Sequence, residues 1–286
     1  MNKFFSLIGF LATIVLVVLF NHITGFEIHS FSLFFIIPVG GLLVGAGASA
    51  GFFYGQIKYH KPIRKNQYLI GALLGFIAFF GVYYVSYLTT YVAPDNEINY
   101  SFEGDHISNF EIDGERITFS KYLEINNQAE SQFYFRGRPM GEGIETGGIV
   151  NSIFFYLQLL ASILAGAGVG LVMVGDRKYC DKCKRYTEQK ELLKFNVDQY
   201  EQVILELTKS INNPSALKKS IEKLALKEEK VIAFAQVELQ YCPNCYESCL
   251  IIKIMKLNSK SEFEELKEFR QFLPLKEEIA KSLIDN

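Results

Sequence analysis

The sequence contains no tryptophan, and four long stretches of it contain no Asp, Glu, Lys or Arg. These charge-free stretches are residues 4–20, 31–54, 68–92 and 149–174. Each is close to the length of about 20 apolar residues that a helix needs to cross a hydrocarbon core of about 30 Å. Four such runs in one chain argue against a soluble protein. We therefore predict a membrane α-helical protein with a four-helix transmembrane bundle, its first three spans in residues 1–92 and its fourth in 149–174.

The rest of the chain divides into two segments of different composition. Residues 93–148 contain eleven acidic residues, four basic residues and no cysteine. Residues 175–286 contain all five cysteines, and their acidic and basic residues nearly balance. We predict that residues 93–148 form a small β-rich extracytoplasmic insertion and that residues 175–286 form an α+β cytoplasmic domain.

Lys and Arg concentrate on one side of the predicted bundle, as they do on the cytoplasmic side of membrane proteins. Lys3 and the loop 56–67 lie on that side, together with a group that we call the basic cluster: Arg177, Lys178, Lys182, Lys184 and Arg185. No signal-peptide cleavage site follows the first stretch, so we expect it to remain as a helix. The sequence therefore predicts a multi-pass protein, in what we expect to be a bacterial inner membrane, with both termini cytoplasmic. The basic cluster is predicted to contact anionic lipid.

Small residues recur at four-residue spacing in three of the charge-free stretches. These residues are Gly41 and Gly45, then Gly47, Gly51 and Gly55, then Gly71 and Gly75, and finally Ser162, Gly166 and Gly170. Lipid gives helices no hydrophobic reason to associate, so close backbone approach along such positions supplies the attraction between them. We expect these positions to form helix contacts.

The acidic segment shows signals for short strands. Residues 110–112 and 115–119 flank Asp113-Gly114, a pair typical of a two-residue hairpin, and residues 133–135 could add a third strand. The glycine-rich stretch 141–148 lacks the Lys-Ser/Thr ending of a phosphate-binding loop. We therefore predict a β-rich cap without a nucleotide site.

Two Cys-x-x-Cys pairs form the strongest motif in the sequence. They are Cys180-Asp-Lys-Cys183 and Cys242-Pro-Asn-Cys245. This spacing allows one tight turn to direct two thiolates at one ion, so two pairs can complete a tetrahedral site. We predict structural zinc, while iron in a rubredoxin-like site and a dithiol redox role are the alternatives. The fifth cysteine, Cys249, is predicted to be a core residue of a strand, with a role as a ligand or a sensor as the alternative.

Strand-like sequence flanks the second pair, at residues 233–240 and 249–257. A cysteine pair at the tip of an antiparallel hairpin resembles the zinc ribbons, and the resemblance covers roughly residues 178–190 and 230–257. It implies a closed site of four thiolates that holds the fold and leaves no position for a substrate.

Two features distinguish this chain from common zinc ribbons. Lys184 and Tyr246 stand directly after the second cysteine of each pair, where zinc ribbons often carry glycine. The two pairs are also far apart in sequence, and the apolar periodicity of residues 200–211 and 214–224 predicts an inserted helical hairpin between them. After the second pair, Ser261-Glu-Phe-Glu264 predicts a helix start, and a short last helix follows Pro274.

Few features indicate catalysis, since no histidine shares a segment with a cysteine or with paired carboxylates. Gln158 is the only strongly polar residue near the middle of a predicted span. No domain is basic enough to suggest nucleic acid as a partner. The leading prediction is a non-enzymatic membrane protein that displays its zinc domain for regulation or assembly, with a protein partner or a homo-oligomer. The alternative is an oligomeric channel or transporter component.

Overall fold

The computed structural model describes residues 2–33, 37–93, 98–99, 104–112, 114–128, 134–135, 138–139, 147–224, 232–259 and 261–284. The chain forms two compact units, Met1–Gly175 and Asp176–Asn286. Helices and small antiparallel sheets both contribute to the fold.

The first unit is built on four long helices and one short one. They are α1 (Asn2–Thr24), α2 (Val39–Lys58), α3 (Lys65–Leu88), α4 (Phe119–Gln128) and α5 (Gly147–Val174). Among the described residues, three helical segments are long and apolar enough to cross a membrane, namely Phe4–Thr24, Lys65–Leu88 and Ile149–Val174.

The second predicted span is only partly helical. The prediction placed a helix over residues 31–54, whereas α2 begins at Val39 and ends at Lys58. Pro38 precedes α2, and a short 3₁₀ turn at Ile28–Ser30 connects it to α1. Among the described residues before Pro38, Leu33 and Ile37 form an isolated antiparallel bridge, as expected where a proline disfavours helix in the residue before it. Six of the twenty residues of α2 are glycine, which makes it less apolar than the other three long helices.

Glycines bring α2 into backbone contact with its neighbours. A Cβ added at Gly45 would lie 1.9 Å from the carbonyl oxygen of Ser162 in α5, and one added at Gly75 of α3 would lie 2.3 Å from the same oxygen. On the opposite side of α2, a Cβ at Gly51 would lie 2.2 Å from the Phe5 carbonyl oxygen in α1. No larger side chain fits at such contacts, so the predicted role of these small residues in helix packing is confirmed.

Short strands and α4 form the insertion between α3 and α5. Strands β1 (Tyr91–Val92), β2 (Ile98–Asn99) and β3 (Asp105–His106) form one sheet in the order β2-β1-β3. The predicted hairpin is present as β4 (Glu111–Ile112) paired with β5 (Glu115–Arg116), and Gly114 takes a positive φ of 78°. The two-stranded sheet of β6 (Tyr134–Phe135) and β7 (Arg138–Pro139) is separate from that hairpin. Asp113, Phe133 and residues 141–146 lie outside the described residues.

Helix α4 was not predicted, and it occupies part of the sequence read as strand. Tyr122 of α4 is buried with Ile107 and Ile117, and Tyr87 of α3 packs against this group. The Tyr87 hydroxyl donates a hydrogen bond to the Ile117 carbonyl oxygen at 3.1 Å. Tertiary contact with α3 therefore accompanies a helix that the sequence pattern did not predict, and only its first residue, Phe119, lies in the segment predicted as strand.

The second unit is a five-stranded antiparallel sheet with helices on one face. The long strands are β10 (Glu188–Asn196), β11 (Ala233–Tyr241) and β12 (Ser248–Leu257), which pair in that order, while β13 (Phe263–Glu265) and β14 (Gln271–Leu275) both pair with β12. The predicted helical hairpin is present as α6 (Tyr200–Ser210) and α7 (Pro214–Leu224), and the predicted last helix is α8 (Glu277–Ile284). Val203, Leu207, Leu217 and Ile279 of these helices are buried against alternate residues of β11 and β12.

The prediction that a helix starts at Ser261 is wrong. Ser261 takes a positive φ of 61°, and the chain continues as β13, a 3₁₀ turn at Lys267–Phe269, and β14. The ring of Phe263 packs against Phe234 of β11 with centroids 4.8 Å apart. Hydrogen bonding to β12 satisfies the backbone of this segment in place of helix formation.

Candidate metal centre

The first cysteine pair lies in a tight hairpin. Strands β8 (Tyr179–Cys180) and β9 (Arg185–Tyr186) pair antiparallel, so Cys180 and Cys183 lie at the start and in the turn of one loop. Lys184 follows with φ 54°, a left-handed backbone that returns the chain to β9. This conformation costs most residues about 1–2 kcal/mol, and glycine adopts it freely.

The second pair lies in the turn that connects β11 to β12. The backbone N–H of Cys242 donates to Glu247 O and that of Tyr246 donates to Cys242 O, both at 2.9 Å. Tyr246 takes φ 55°, almost the value found at Lys184. The residue after the second cysteine is therefore left-handed in both turns, which is the position where zinc ribbons often carry glycine.

The fold brings the two pairs together. The sulfur atoms of Cys180, Cys183, Cys242 and Cys245 all lie within 4.8 Å of one another. Cys180 and Cys242 are 7% and 0% exposed, while the other two are half-buried. A tetrahedral ion with metal–sulfur bonds of about 2.3 Å needs sulfurs about 3.8 Å apart. The 3.7 Å between the sulfurs of Cys180 and Cys245 fits that requirement.

The acidities of the thiols show how crowded the site is. Burial raises the pKa of Cys180, and the neighbouring thiols of Cys245 and Cys242 raise it further. A hydrogen bond with Cys245 is the largest cause that raises the pKa of Cys183, which reaches about 12. Burial also raises the pKa of Cys242, but backbone N–H groups of Cys245 and Asn244 outweigh it and bring the value to about 7. The pKa of Cys242 is thus lowered while those of Cys180 and Cys183 are raised, and a bound cation would favour the thiolate form at all of these positions.

Contacts around the four thiols join the two turns to each other and to the rest of the unit. Arg185 donates to the Asn244 Oδ1 at 2.6 Å, which links the first turn to the second. The Nζ of Lys281 in α8 lies 4.9 Å from the centre of the Tyr246 ring. Four protein thiols could together complete a tetrahedral shell around one ion, which would leave no open ligand position for chemistry.

Cys249 lies outside this group. It is a half-buried residue of β12, with its sulfur 3.9 Å from the Oε1 of Gln240. Burial raises the pKa of its thiol, so it is less reactive than a free cysteine. Its place in β12 agrees with the predicted strand, but it is half-buried and is not among the buried core residues of the sheet, contrary to the prediction of a core position.

A charged network at Asp176 was missed by sequence reasoning. Arg270 donates to both carboxylate oxygens of Asp176, at 3.1 and 2.7 Å, and also binds Glu265. Lys253, a buried residue of β12, lies 3.6 Å from Asp176 and 2.6 Å from Glu238. Hydrogen bonding to Arg270 is the main cause that lowers the pKa of Asp176. These partners come from distant parts of the sequence, and no local pattern marks them.

Gln158 of α5 is buried in the first unit, at 1% exposure. Its Oε1 accepts a hydrogen bond from the backbone N–H of Gly41 at 2.5 Å. Its Nε2 donates to the carbonyl oxygens of Ser30 and Phe31, at 3.1 and 2.8 Å, and to the Ser32 hydroxyl at 2.8 Å. Gly41 belongs to the first turn of α2, whose N–H groups have no partner within the helix. Gln158 thus caps α2 from a neighbouring helix.

The four thiols form a cluster that could hold a metal ion. The identity of the ion and the zinc-ribbon fold remain predictions from the cysteine spacing. Comparison of the chain with protein-family models, with curated proteins and with solved structures finds no match.

Proposed function

We propose that this chain is a multi-pass membrane protein whose cytoplasmic domain is held by structural zinc and serves in regulation or assembly of partners. The observation that carries the proposal is the closed four-thiol cluster, in a unit that directly follows the apolar helix α5 in sequence. A closed tetrathiolate stabilises a fold and leaves no position for a substrate. The role that we propose for such a domain is to bind a partner through its surface.

We propose α2 as the fourth span, beside the three helices that are long and apolar enough. Its twenty residues are about 30 Å long, which is the thickness of a hydrocarbon core. It contains no charged residue before Lys58, its last residue. Its glycines contact the backbones of α1 and α5. Four spans would place both termini on one side, which the distribution of Lys and Arg assigns to the cytoplasm.

Zinc is the ion that the thiol set favours, because four thiolates in a tetrahedron suit zinc and iron–sulfur chemistry better than harder ions. Metal analysis of the purified full-length protein is expected to find close to one zinc per chain. Cys242→Ser should lose that zinc, whereas Cys249→Ser, a matched change outside the cluster, should retain it. Visible absorbance from iron, or less than about one zinc per two folded chains, would contradict the assignment.

The packing around Gln158 supports a scaffold over a channel. A polar residue that faces a hydrated lumen would leave its amide to water, but the Gln158 amide is buried and makes four hydrogen bonds within the chain. Buried polar groups that are saturated in this way fix helix positions. The alternative of an oligomeric channel or transporter component would need a pore along another surface.

Affinity capture and transport assays separate the two roles. The protein captured from gently solubilised membranes is expected to bring reproducible partners, and the Cys242→Ser variant should lose those that bind the metal-held domain. The same purified protein in liposomes is expected to leave ion and small-solute fluxes at the level of empty liposomes. Solute flux without any reproducible partner would reverse the choice.

The basic cluster is proposed to contact anionic lipid. Arg177, Lys178, Lys182 and Lys184 are exposed, and Lys178 lies 4.5 Å from the ring centre of the exposed Phe272. Each basic residue near an anionic surface contributes about 1 kcal/mol. The fragment 176–286, a compact unit with its own core, should float with anionic vesicles.

Two double variants with equal charge change test this contact. Arg177→Ser with Lys178→Ser should weaken binding of the fragment to anionic vesicles by about ten-fold or more, the loss expected from two such residues. Lys218→Ser with Lys219→Ser, in the exposed part of α7, should leave binding near the wild-type level. Equal losses in both variants would show that net charge, and no particular surface, attracts the fragment.

A further inference from the structure

A groove runs along the side of the first unit where α3, α4 and α5 meet. It has a volume of about 890 Å³ and lies open along one side. Phe80 of α3 lines it together with Ile149, Ser152, Ile153, Phe155 and Tyr156 of α5. Volumes of roughly 300–1,000 Å³ are typical of sites for small organic ligands.

The groove is apolar at one end and polar at the other. Phe80 lies eight residues before the end of α3, and Tyr156 lies nine residues after the start of α5, so the apolar part extends about 12 Å from the helix ends. At the helix ends, α4 contributes Ser120, Glu124 and Asn127 to the lining. This gradient is the one that an amphiphile experiences between the hydrocarbon core and the headgroup layer.

The polar end favours an ammonium group. Glu124 is the only charged side chain among the described residues that line the groove, and the Ser120 hydroxyl and Asn127 amide add hydrogen-bond acceptors beside it. Lys121 lies next to the groove and donates to Glu124 at 3.2 Å, so the rim carries a carboxylate and an ammonium side by side. A headgroup that carries both an ammonium and a phosphate can pair with both Glu124 and Lys121, whereas an anionic headgroup can pair with Lys121 only and is repelled by Glu124.

We propose that this groove binds one phospholipid with a primary-amine, zwitterionic headgroup. The ammonium lies at Glu124, and an acyl chain follows the seam between α3 and α5 along Ile153 and Phe80. The inference rests on the proposed membrane insertion, because the apolar lining of the groove faces lipid only if α3 and α5 span a bilayer. A primary amine donates three hydrogen bonds to the acceptors of the rim, which a choline headgroup cannot do.

Native mass spectrometry of the full-length protein tests the proposal. The protein is purified in mild detergent and mixed with phosphatidylethanolamine, phosphatidylcholine and phosphatidylglycerol that carry the same oleoyl chains. We expect the one-lipid adduct to favour phosphatidylethanolamine by about five-fold or more over each competitor, a difference of about 1 kcal/mol in binding. Glu124→Gln should reduce this preference to less than about two-fold.

A matched pair of variants on α5 tests the location. Ile153→Trp fills the groove and should abolish the selective adduct. Leu164→Trp makes the same kind of change at a residue that is 60% exposed on the same helix but outside the groove, and it should leave the adduct intact. Helix content by circular dichroism verifies that both variants are folded.

Each other outcome overturns the proposal. Equal adducts from all three lipids, or an adduct that survives Ile153→Trp, would indicate unselective surface lipid. Preference for phosphatidylglycerol would refute the headgroup assignment. A doubled mass that Ile153→Trp abolishes would assign the groove to a second copy of the chain. Extraction of the same membranes with alkaline carbonate separates the two proposals: retained protein without the selective adduct refutes only the groove, while released protein refutes the membrane insertion as well.

Discussion

Replacing Gln158 by Met should destabilise the first unit by about 2 kcal/mol, because the buried side chain then loses its hydrogen bonds to two segments of backbone. Methionine keeps the length and the helix propensity of glutamine while removing the amide. The Gly41 N–H and the Ser30 carbonyl oxygen lose the partner that α5 provides. Phe31 keeps a hydrogen bond from the Gly40 N–H at 2.9 Å, so its loss is smaller.

The magnitude follows from these orphaned groups. A buried backbone group left without a partner costs about 1–3 kcal/mol, and loss of a helix cap costs about 1 kcal/mol. Side-chain hydrogen bonds in membrane proteins average only about 0.6 kcal/mol, since the unfolded chain finds other partners in the bilayer. The Gly41 N–H is buried and loses its only side-chain partner, which sets an expected loss near 2 kcal/mol, whereas Ser30 is an exposed residue and adds little. The membrane average gives about 1 kcal/mol as the lower limit.

Unfolding of the full-length protein in mixed micelles by sodium dodecyl sulfate measures this loss. The chain has no tryptophan, so far-UV circular dichroism is the suitable probe of the helices. Leu157→Met, at the exposed neighbouring position, is the control and should change the free energy of unfolding by less than about 0.5 kcal/mol. A loss below about 0.5 kcal/mol for Gln158→Met would show that the amide is hydrated or dispensable, and would revive the channel hypothesis.

Three further predictions test the packing, the turns and the charged network. Gly45→Ala should destabilise the first unit by about 1–3 kcal/mol, because the added Cβ would lie 1.9 Å from a backbone carbonyl oxygen. Gly168→Ala is the control and should be tolerated, because no atom lies within 4 Å of the added Cβ. Similar losses of stability in both variants would refute the packing argument. Lys184→Gly should stabilise the metal-held unit by about 0.5–1 kcal/mol, because glycine adopts the left-handed backbone at this position without strain. Lys182→Gly removes the same charge and should not stabilise the unit. A lower free energy of unfolding for Lys184→Gly would contradict the left-handed conformation. Because the pKa of Asp176 is lowered in the folded state, its ion pair stabilises the fold fully above the ordinary aspartate pKa of 3.8, and this stabilisation is lost as the pH falls through the lower, folded-state pKa. Asp176→Asn should therefore make the free energy of unfolding less dependent on pH in that window. An unchanged acid-unfolding profile would refute the role of the pair.

The sequence predicted those parts of the fold that depend on short-range pattern. Charge-free length indicated the long helices, period-2 alternation indicated β11, and the apolar stripe indicated α6. The start of α2 was misplaced because apolar composition alone does not separate a connecting turn from a helix. Position 261 was misassigned because a capping box is a local signal, and pairing with β12 overrides it.

The cysteine cluster was predictable because one turn fixes the two ligands of each pair. Only the contact between the two pairs is long-range. The caps and ion pairs could not be predicted in this way. Gln158 accepts a hydrogen bond from Gly41, which is 117 residues away in sequence, and Arg270 donates to Asp176, which is 94 residues away. Each is a single polar side chain whose partner depends on the completed fold, and nothing in its neighbours encodes the partner.

The closeness of the two cysteine turns has a topological consequence. A metal shared by Cys183 and Cys242 would tie the ends of a loop of about sixty residues, and the insertion α6–α7 lies wholly within that loop. The cysteines are separate from the apolar core beneath these helices. Proteolysis near Asn213 would then leave two fragments that remain joined at the ion, and the β12–α8 half of the domain would stay tethered to the chain that leaves α5. Chelation after such a cut would remove this tether and leave only strand pairing to hold the halves together.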